Sequence, residues 1–335
     1  MHNPILVELT RGRLVESMHT GTIAVARPSG EMVVALGDIQ RLVFPRSAIK
    51  AFQAIPLIES GAADRFEFGA AEIALACSSH SGTPRHADLA ATMLARAGLD
   101  HSALGCGTHD PVHEGSVRQM FKDGAKASAL HNNCSGKHSG MLATCVHCGD
   151  PVAGYFKPDH PHQRRIVKVL SEVAGVPVSD DAVAVDGCSA PNWAMAPRDL
   201  ARAFARFVTG EGFSPARAAV ARRIAKACWA EPELVAGPGR LDTIAMGRLG
   251  EKVFMKTGAE GVYCGGLPAL GLGFALKIDD GSKRAAEALV EAMLTRLYQE
   301  ARGLGALGPI KNWRGIEVGE TRIAATASRA FDELR

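Results

Sequence analysis

The sequence predicts a mixed α/β (α+β) protein, in which an antiparallel sheet carries a helical region. β-rich segments come first, helical segments fill the middle, and strands with a long helix return at the end. This order is not the regular βαβ alternation of a doubly wound sheet. Without an internal repeat or linker, we expect one domain over residues 1–335, with a sheet part at roughly 1–45 and 250–335 and a helical part at roughly 46–249.

The first segment is predicted to be an antiparallel meander. Val15 to Ala26 is rich in β-forming residues, Pro28-Ser29-Gly30 forms a turn, and Met32 to Leu36 returns as a strand. Phe44-Pro45-Arg46-Ser47 then opens a helix, because apolar residues repeat at helical spacing as far as Gly61.

Helical periodicity dominates the middle of the chain. The predicted helices are roughly Ala70 to Cys77, Pro84 to Gly98, Lys137 to Val146, Gln163 to Gly175, 198–209 and 215–230. Between them, Ala182 to Asp186 is typical of a buried strand that ends at Gly187-Cys188.

The last part of the chain returns to strands. Val253 to Lys256 and Gly271 to Ile278 are predicted to be adjacent strands. Ser282 to Arg302 is predicted to be the longest helix, and Asn312 to Ala325 has strand character around a turn at Gly315.

Composition excludes several classes of protein. The 335 residues are 47% hydrophobic, which is enough for a sizeable core, and the net charge of +3 comes without the basic stripe of a nucleic-acid binder. The N-terminal residues lack the pattern of a signal peptide, and no apolar run is long enough to span a bilayer. We expect a cytoplasmic protein whose eight cysteines are mostly reduced thiols or metal ligands.

The first candidate for chemistry is Ser47-x-x-Lys50. Residues three apart share a helix face, so the hydroxyl and the amine can meet. A serine becomes a nucleophile when a base removes its proton, and a lysine can be that base if burial or a nearby cation lowers its pKa from about 10.4. A tetrapeptide this common also fits a helix cap beside a solvated lysine.

Two further segments support a serine hydrolase. Lys256-Thr257-Gly258 lies on a late predicted strand, and an early S-x-x-K with a late K-T-G is the arrangement of serine β-lactamases and penicillin-binding proteins. The hydroxyl-rich segment from Ser78 to Gly82 follows a predicted helix. It supplies either a second active-site serine or a helix cap.

The cysteines give a weaker signal. Cys134 and Cys188 each lie at a tight turn and suit a soft metal such as zinc, but without companion pairs they also suit an apolar core. Cys145-x-x-Cys148 lacks a second pair and is interpreted as structural. A phosphate loop at Gly136-Lys137 is excluded because the required earlier glycine is His131.

Taken together, the motifs resemble the Rhizobium etli type, or class 3, of L-asparaginase. The resemblance extends from about Arg11 to Gly319 and rests on six linked segments in order. They are Phe44-Pro45-Arg46-Ser47-x-x-Lys50, Cys77-Ser78-Ser79-His80-Ser81-Gly82, Asn132-Asn133-Cys134-Ser135-Gly136-Lys137-His138-Ser139-Gly140-Met141, Asp186-Gly187-Cys188-Ser189-Ala190-Pro191, Lys256-x-Gly258-Ala259-Glu260-Gly261 and Asn312-x-x-Gly315-x-x-Val318-Gly319.

The resemblance implies a fold like that of the serine β-lactamases and glutaminases, and hydrolysis of L-asparagine to L-aspartate and ammonia in a homodimer. It implies two Ser–Lys tandems as catalytic residues and a zinc ion held by two cysteines and a lysine. The tandems map onto Ser47 with Lys50 and Ser79 with Lys256, and the zinc ligands map onto Cys134, Lys137 and Cys188. We expect Arg46, His80 and Asp186 to bind substrate.

The expected reaction is acyl transfer, in which Ser47 attacks the amide carbon and Lys50 takes its proton, although Ser79 as the nucleophile stays open. Zinc is expected to tune substrate affinity. Three alternatives stay open: a glutaminase of the same fold, a β-lactamase or penicillin-binding enzyme, and a non-catalytic zinc-binding protein. A missing S-D-N motif speaks against the second of these.

Overall fold

The computed structural model describes residues 2–334, so Met1 and Arg335 of the predicted domain lie outside the described residues. The strands are β1 (Ile5–Arg11), β2 (Leu14–Ala26), β3 (Met32–Leu36), β4 (Val183–Val185), β5 (Pro191–Trp193), β6 (Phe254–Thr257), β7 (Val262–Leu267), β8 (Leu272–Ile278), β9 (Gly308–Lys311) and β10 (Glu317–Ile323). The helices are α1 (Lys50–Gln53), α2 (Ile55–Glu59), α3 (Ala62–Arg65), α4 (Ala70–Ala76), α5 (Pro84–Arg96), α6 (Glu114–Lys122), α7 (Ser135–Cys148), α8 (Pro161–Ala174), α9 (Pro197–Thr209), α10 (Pro215–Ala230), α11 (Pro232–Val235), α12 (Leu241–Leu249), α13 (Lys283–Leu297) and α14 (Ala325–Ala330).

The chain divides into two compact units. The sheet unit consists of Met1–Ala48, Met195–Gly212 and Ile244–Arg335, and the helical unit consists of Ile49–Ala194 and Phe213–Thr243. The sheet unit therefore contains both predicted sheet segments and also α9, which the sequence had placed in the helical part. A single domain stays a prediction.

The sheet unit is built on an antiparallel sheet. Its strand order is β6-β7-β8-β2-β1-β10-β9, and β3 pairs with β2. The long strand β2 changes partners along its length, because Leu14–Thr20 pairs with β1 and Gly21–Ala26 pairs with β8. Helices α9 and α13 pack against this sheet. The predicted class, an antiparallel sheet with a helical region, is confirmed.

Glycines allow α9 to lie directly on the sheet. A Cβ atom on Gly273 would be 2.1 Å from the Ala201 carbonyl oxygen, and one on Gly266 would be 2.6 Å from a methyl of Val208. Gly265 and Gly266 also hide strand β7 from prediction, since glycine weakens strand signals in a sequence. The predicted adjacency of Val253–Lys256 and Gly271–Ile278 is wrong, because β7 lies between β6 and β8.

In the helical unit, α7 packs against α4 and α5, and α4 packs against α10. A Cβ atom on Gly136 would be 2.4 Å from both Cγ and the carbonyl oxygen of Leu75. The start of α7 therefore lies against the end of α4. This contact brings the chain after α4 close to the chain before α7, where two of the predicted site segments lie.

Three local predictions need correction. Phe44-Pro45-Arg46-Ser47 does not open an α-helix; a 3₁₀ turn, Arg46–Ile49, comes first, because Arg46 adopts a left-handed φ of 53°. Strand β4 is not buried, since Val185 is 74% exposed. Helix α13 has 15 residues and is shorter than α10, which has 16.

Among residues 2–334, no helix is both long enough and apolar enough to cross a bilayer.

Candidate active site

Lys50 is the centre of a buried polar cluster in the helical unit. Its side chain is 1% exposed. The Nζ atom donates to the carbonyl oxygen of Ser78 (2.5 Å), lies 2.9 Å from Ser79 Oγ and lies 3.0 Å from Cys134 Sγ. Three partners satisfy an ammonium group; a neutral amine would donate to two of them and accept from the third. In its neutral form, the Lys50 amine can therefore accept the proton of the Ser79 hydroxyl.

Backbone hydrogen bonds hold the serine segment in place. Helix α4 ends at Ala76, and the Ser79 amide then donates to the carbonyl oxygen of Val235 (3.0 Å). The next amide, of His80, donates to the carbonyl oxygen of Asn133 (3.1 Å). The segment is thus fixed both to the chain after α11 and to the turn before α7, which positions Ser79 beside Lys50.

His80 has no exposed surface, and both of its ring nitrogens have partners. Nδ1 accepts from the Gly82 amide (3.1 Å), so Nε2 carries the hydrogen and donates to Ser135 Oγ (2.8 Å). Ser135 Oγ in turn donates to the carbonyl oxygen of Leu130 (2.8 Å). Burial, then the neighbouring His86 and Lys50, lowers the pKa of His80 well below its usual range. In this arrangement the neutral ring ties the serine segment to α7, and substrate binding by His80 stays a prediction.

The predicted metal ligands come together at the start of α7. Lys137 Nζ lies 2.9 Å from Cys188 Sγ, and Cys134 and Cys188 share a hydrogen bond between their sulfur atoms. Exposure is 4% for each of the three side chains. Residues separated by more than fifty positions in the chain thus form one buried cluster.

Charge within this cluster is arranged around Cys188. The hydrogen bond from Cys134 lowers the pKa of Cys188 far below its usual range against the opposing effect of burial, and Lys137 lowers it further. The same hydrogen bond, together with burial, raises the pKa of Cys134. For Lys137, burial acts against the charged form, but the two sulfur atoms raise its pKa overall. These directions favour the thiolate form of Cys188 beside the ammonium form of Lys137.

The donor set fits a zinc ion. Zinc accepts thiolate and nitrogen ligands, and this cluster offers two sulfur atoms and one nitrogen. Within residues 2–334, no group of three or more histidine, cysteine, aspartate or glutamate residues is placed to hold a metal. A zinc ion here would therefore depend on Lys137 as its third protein ligand, in the neutral form.

His138 and Tyr155 belong to the same cluster, and neither was predicted as a site residue. The Tyr155 hydroxyl accepts from the Gly105 amide (2.8 Å) and shares a hydrogen bond with His138 Nδ1 (2.5 Å). Burial lowers the pKa of His138 to about 4. Because His138 lies within the quoted Asn132-to-Met141 motif, it could have been predicted as a site residue. Nothing in the sequence indicated Tyr155.

A tight turn presents Cys188 at the end of β4. The Ser189 amide donates to the carbonyl oxygen of Asp186 (2.8 Å), and the Asp186 amide donates to that of Ala190 (2.9 Å). Asp186 Oδ1 also accepts from the Gly187 amide (2.7 Å). Ser189 has a φ of 70°, in the left-handed region that most residues avoid. Backbone strain of this kind is frequent where a turn must aim a functional side chain.

The remaining predicted residues, Arg46, Ser47 and Lys256, lie in or at the edge of the sheet unit. Arg46 has a left-handed φ of 53°, and Ser47 follows it in the 3₁₀ turn. Lys256 is 1% exposed on β6, and its Nζ atom donates to the carbonyl oxygen of Thr257 (2.9 Å).

Gly258 brings these two segments together. A Cβ atom on Gly258 would be 2.7 Å from the carbonyl oxygen of Pro45, so only glycine fits. The end of β6 therefore packs against the turn that carries Ser47. The loop that follows β6 contains Glu260, another left-handed residue, at a φ of 56°.

Several solved structures are similar to this chain. Mglu in its native form is 14% identical, with a TM-score of 0.44 over 80% of this chain and 61% of that chain. Mglu in its glutamate form is 15% identical, with a TM-score of 0.45 over 84% and 61% of the two chains. A β-lactamase from Mycobacterium bovis is 13% identical, with a TM-score of 0.38 over 80% and 90%. The chain spans about three fifths of the length of these Mglu structures.

No curated protein sequence matches this chain. The family model described as L-asparaginase II matches residues 7–323, which is nearly the whole chain, and it confirms the family resemblance seen in the motifs. The chain belongs to the L-asparaginase II family.

Proposed function

We propose that the protein hydrolyses L-asparagine to L-aspartate and ammonia by Ser–Lys catalysis through an acyl-enzyme. The observation that carries this proposal is the buried contact between Lys50 Nζ and Ser79 Oγ at 2.9 Å, in a chain of the L-asparaginase II family. This contact supports Lys50 as the base, because a buried lysine within reach of a hydroxyl can take up its proton, and it leaves Ser79 as the alternative nucleophile to Ser47.

In the proposed reaction, Ser47 Oγ attacks the side-chain amide carbon of the substrate while Lys50 accepts the hydroxyl proton. The C–N bond then breaks, and ammonia leaves with a proton delivered by Lys50. Water attacks the resulting aspartyl ester, which releases aspartate and restores the Ser47 hydroxyl. Ser79 and Lys256 relay protons or hold the charge state of Lys50. The Ser47 amide, at the start of its turn, is our candidate oxyanion donor.

We propose that Cys134, Lys137 and Cys188 hold a zinc ion when zinc is present. A zinc ion held by these residues would supply positive charge that strengthens substrate binding. The residues Arg46, His80 and Asp186 are proposed to orient the substrate. By resemblance, we also propose a homodimer and a cytoplasmic location.

The test is ammonia release from L-asparagine by the wild type, Ser47→Ala and Lys50→Met. Loss of a nucleophile or its base removes acyl transfer, so we expect kcat to fall by about 10³-fold or more in both variants. Ser102→Ala and Lys126→Met, which change exposed residues, are the matched controls. Near-normal rates in both site variants would refute the mechanism.

A second measurement tests the acyl-enzyme itself. Hydroxylamine added to the assay should capture the aspartyl ester as aspartyl hydroxamate without slowing ammonia release. Absence of hydroxamate at any hydroxylamine concentration would argue for direct attack by water. Parallel assays with L-glutamine and nitrocefin separate the proposal from a glutaminase and from a β-lactamase.

A further inference from the structure

A loop between α5 and α6, residues 105–113, packs on the serine segment that follows α4. The His113 amide donates to the carbonyl oxygen of Ser81 (2.9 Å). A Cβ atom on Gly82 would be 2.9 Å from Cα of Pro111, so the two backbones lie in direct contact. The 105–113 loop is therefore fixed to the part of the chain that carries a candidate catalytic serine.

The same loop is fixed to the turn before α7. The side-chain amide of Asn132, a residue that is 4% exposed, donates to the carbonyl oxygen of Cys106 (2.8 Å). His109 makes a second link, because its Nε2 atom accepts from the Asn133 amide (2.9 Å). One loop thus joins the serine segment to the turn that carries the first predicted zinc ligand.

The backbone selects the form of the His109 ring that can make this contact. Nδ1 lies 2.6 Å from the carbonyl oxygen of Asp110, and a carbonyl oxygen can only accept, so Nδ1 carries the ring hydrogen. Nε2 then has the free electron pair that the Asn133 amide needs. The half-buried, neutral ring of His109 is therefore a hydrogen-bond acceptor aimed at the turn.

Asn133 passes this restraint to the two side chains that contact Lys50. Its carbonyl oxygen accepts from the His80 amide (3.1 Å), and His80 directly follows Ser79. Asn133 also directly precedes Cys134. Ser79 Oγ lies 2.9 Å from Lys50 Nζ, and Cys134 Sγ lies 3.0 Å from it. Fixing Asn133 therefore fixes the segments that bring both side chains to Lys50.

Hydrogen bonds inside the turn do not replace this restraint. The Cys134 amide donates to Asn132 Oδ1 (2.9 Å), and the Ser135 amide donates to the Asn132 carbonyl oxygen (2.9 Å). These contacts shape the turn, but they join residues within it. His109 lies 24 positions before Asn133, so its contact holds the turn in place relative to another part of the helical unit.

We infer that His109 is a positioning residue of the active site. By holding the Asn133 amide, it keeps the serine segment and the Cys134 turn in contact with Lys50. The inference rests on the proposed Ser–Lys reaction, in which Lys50 exchanges protons with a serine. A shifted turn would change the geometry of that proton transfer, so the loss should appear in turnover at saturating substrate.

Ammonia release from L-asparagine tests this in His109→Leu, in His109→Gln and in the control His101→Leu. Leucine fills the space of the ring but accepts no hydrogen bond, so kcat should fall about 10–100-fold. Glutamine should restore most of the wild-type kcat, because its Oε1 atom can replace the ring Nε2 as acceptor. His101→Leu changes an exposed histidine before the same loop and should behave like the wild type. Urea unfolding confirms that each variant is folded.

Amide hydrogen exchange, followed by mass spectrometry, tests the contact without relying on activity. Peptides that contain Asn133 and His80 should exchange faster in His109→Leu than in the wild type, because the turn is no longer held in place. His109→Gln should exchange like the wild type. If the wild type releases no ammonia from L-asparagine, the proposed function fails, while faster exchange in His109→Leu still supports the positioning role.

Four results would overturn the inference. They are unchanged amide exchange in His109→Leu, an unchanged kcat in that variant when the wild type is active, a kcat in His109→Gln as low as that in His109→Leu, and an equal loss in His101→Leu.

Discussion

His162 links the stability of this protein to pH. It lies in α8, it is 1% exposed, and among the described residues neither of its ring nitrogens has a hydrogen-bond partner. An imidazolium ion at this position would be buried without an acceptor. Burial, with smaller contributions from the charges of Arg165 and His160, lowers the pKa of His162 from 6.5 to about 3.

The size of the effect follows from this pKa difference. As the pH falls, the unfolded chain takes up a proton near pH 6.5 while the folded chain does not. The contribution of His162 to the free energy of unfolding is therefore fully present above pH 6.5. It is lost progressively as the pH falls to about 3. The loss is ~1.4 kcal/mol per pH unit, which is ~2.7 kcal/mol at about pH 4.5 and ~4.8 kcal/mol at the limit.

Urea unfolding of the wild type and His162→Leu, at a series of pH values from about 7.5 to about 4.5, measures this effect. Near neutral pH the variant should be as stable as the wild type or more stable, because leucine leaves no polar atom unpaired. On acidification the variant should lose ~2.7 kcal/mol less than the wild type. His101→Gln, at an exposed histidine, should follow the wild type. Parallel pH curves for wild type and His162→Leu would refute the reasoning.

Other residues give equally direct tests. Glu291→Leu should reduce the free energy of unfolding by ~3 kcal/mol, because the buried Glu291 carboxylate accepts three backbone amides, at 2.9, 2.6 and 3.0 Å, that would lose their partner; unchanged urea unfolding would contradict this. Gly136→Ala should cost about 3 kcal/mol because its methyl would overlap α4, whereas Gly247→Ala, with open space around it, should be neutral or stabilising by thermal unfolding. Cys188→Ser should abolish zinc retained after dialysis, measured by elemental analysis, while Cys148→Ser should retain it; equal zinc contents would argue against the proposed ligands.

Much of the candidate site could be predicted because its motifs are local. Several quoted segments combine glycine or other turn residues with reactive side chains, and the structure brings Cys134, Lys137 and Cys188 into one cluster. Two glycines within the segments are required by close packing, because a Cβ atom at Gly136 or Gly258 would overlap the neighbouring segment.

Pairings between distant segments could not be predicted in the same way. The contact of Lys50 with Ser79 joins residues 29 positions apart, and no periodicity encodes it. Tyr155 lies outside all of the quoted motifs, so its contact with His138 could not be predicted either. Strand β7 was missed for a different reason: Gly265 and Gly266 look like a break in the sequence, whereas in the structure Gly266 lies under α9 and Gly265 lies against Phe274.

The left-handed residues at Arg46, Ser189 and Glu260 have a consequence for engineering. Each costs roughly 1–2 kcal/mol relative to an ordinary backbone conformation, and glycine would remove most of that cost. A laboratory selection for heat resistance alone will therefore be drawn to these three positions, which adjoin Ser47, Cys188 and the loop after Lys256. Mutant libraries designed to raise thermal stability should keep these three residues unchanged and vary other positions.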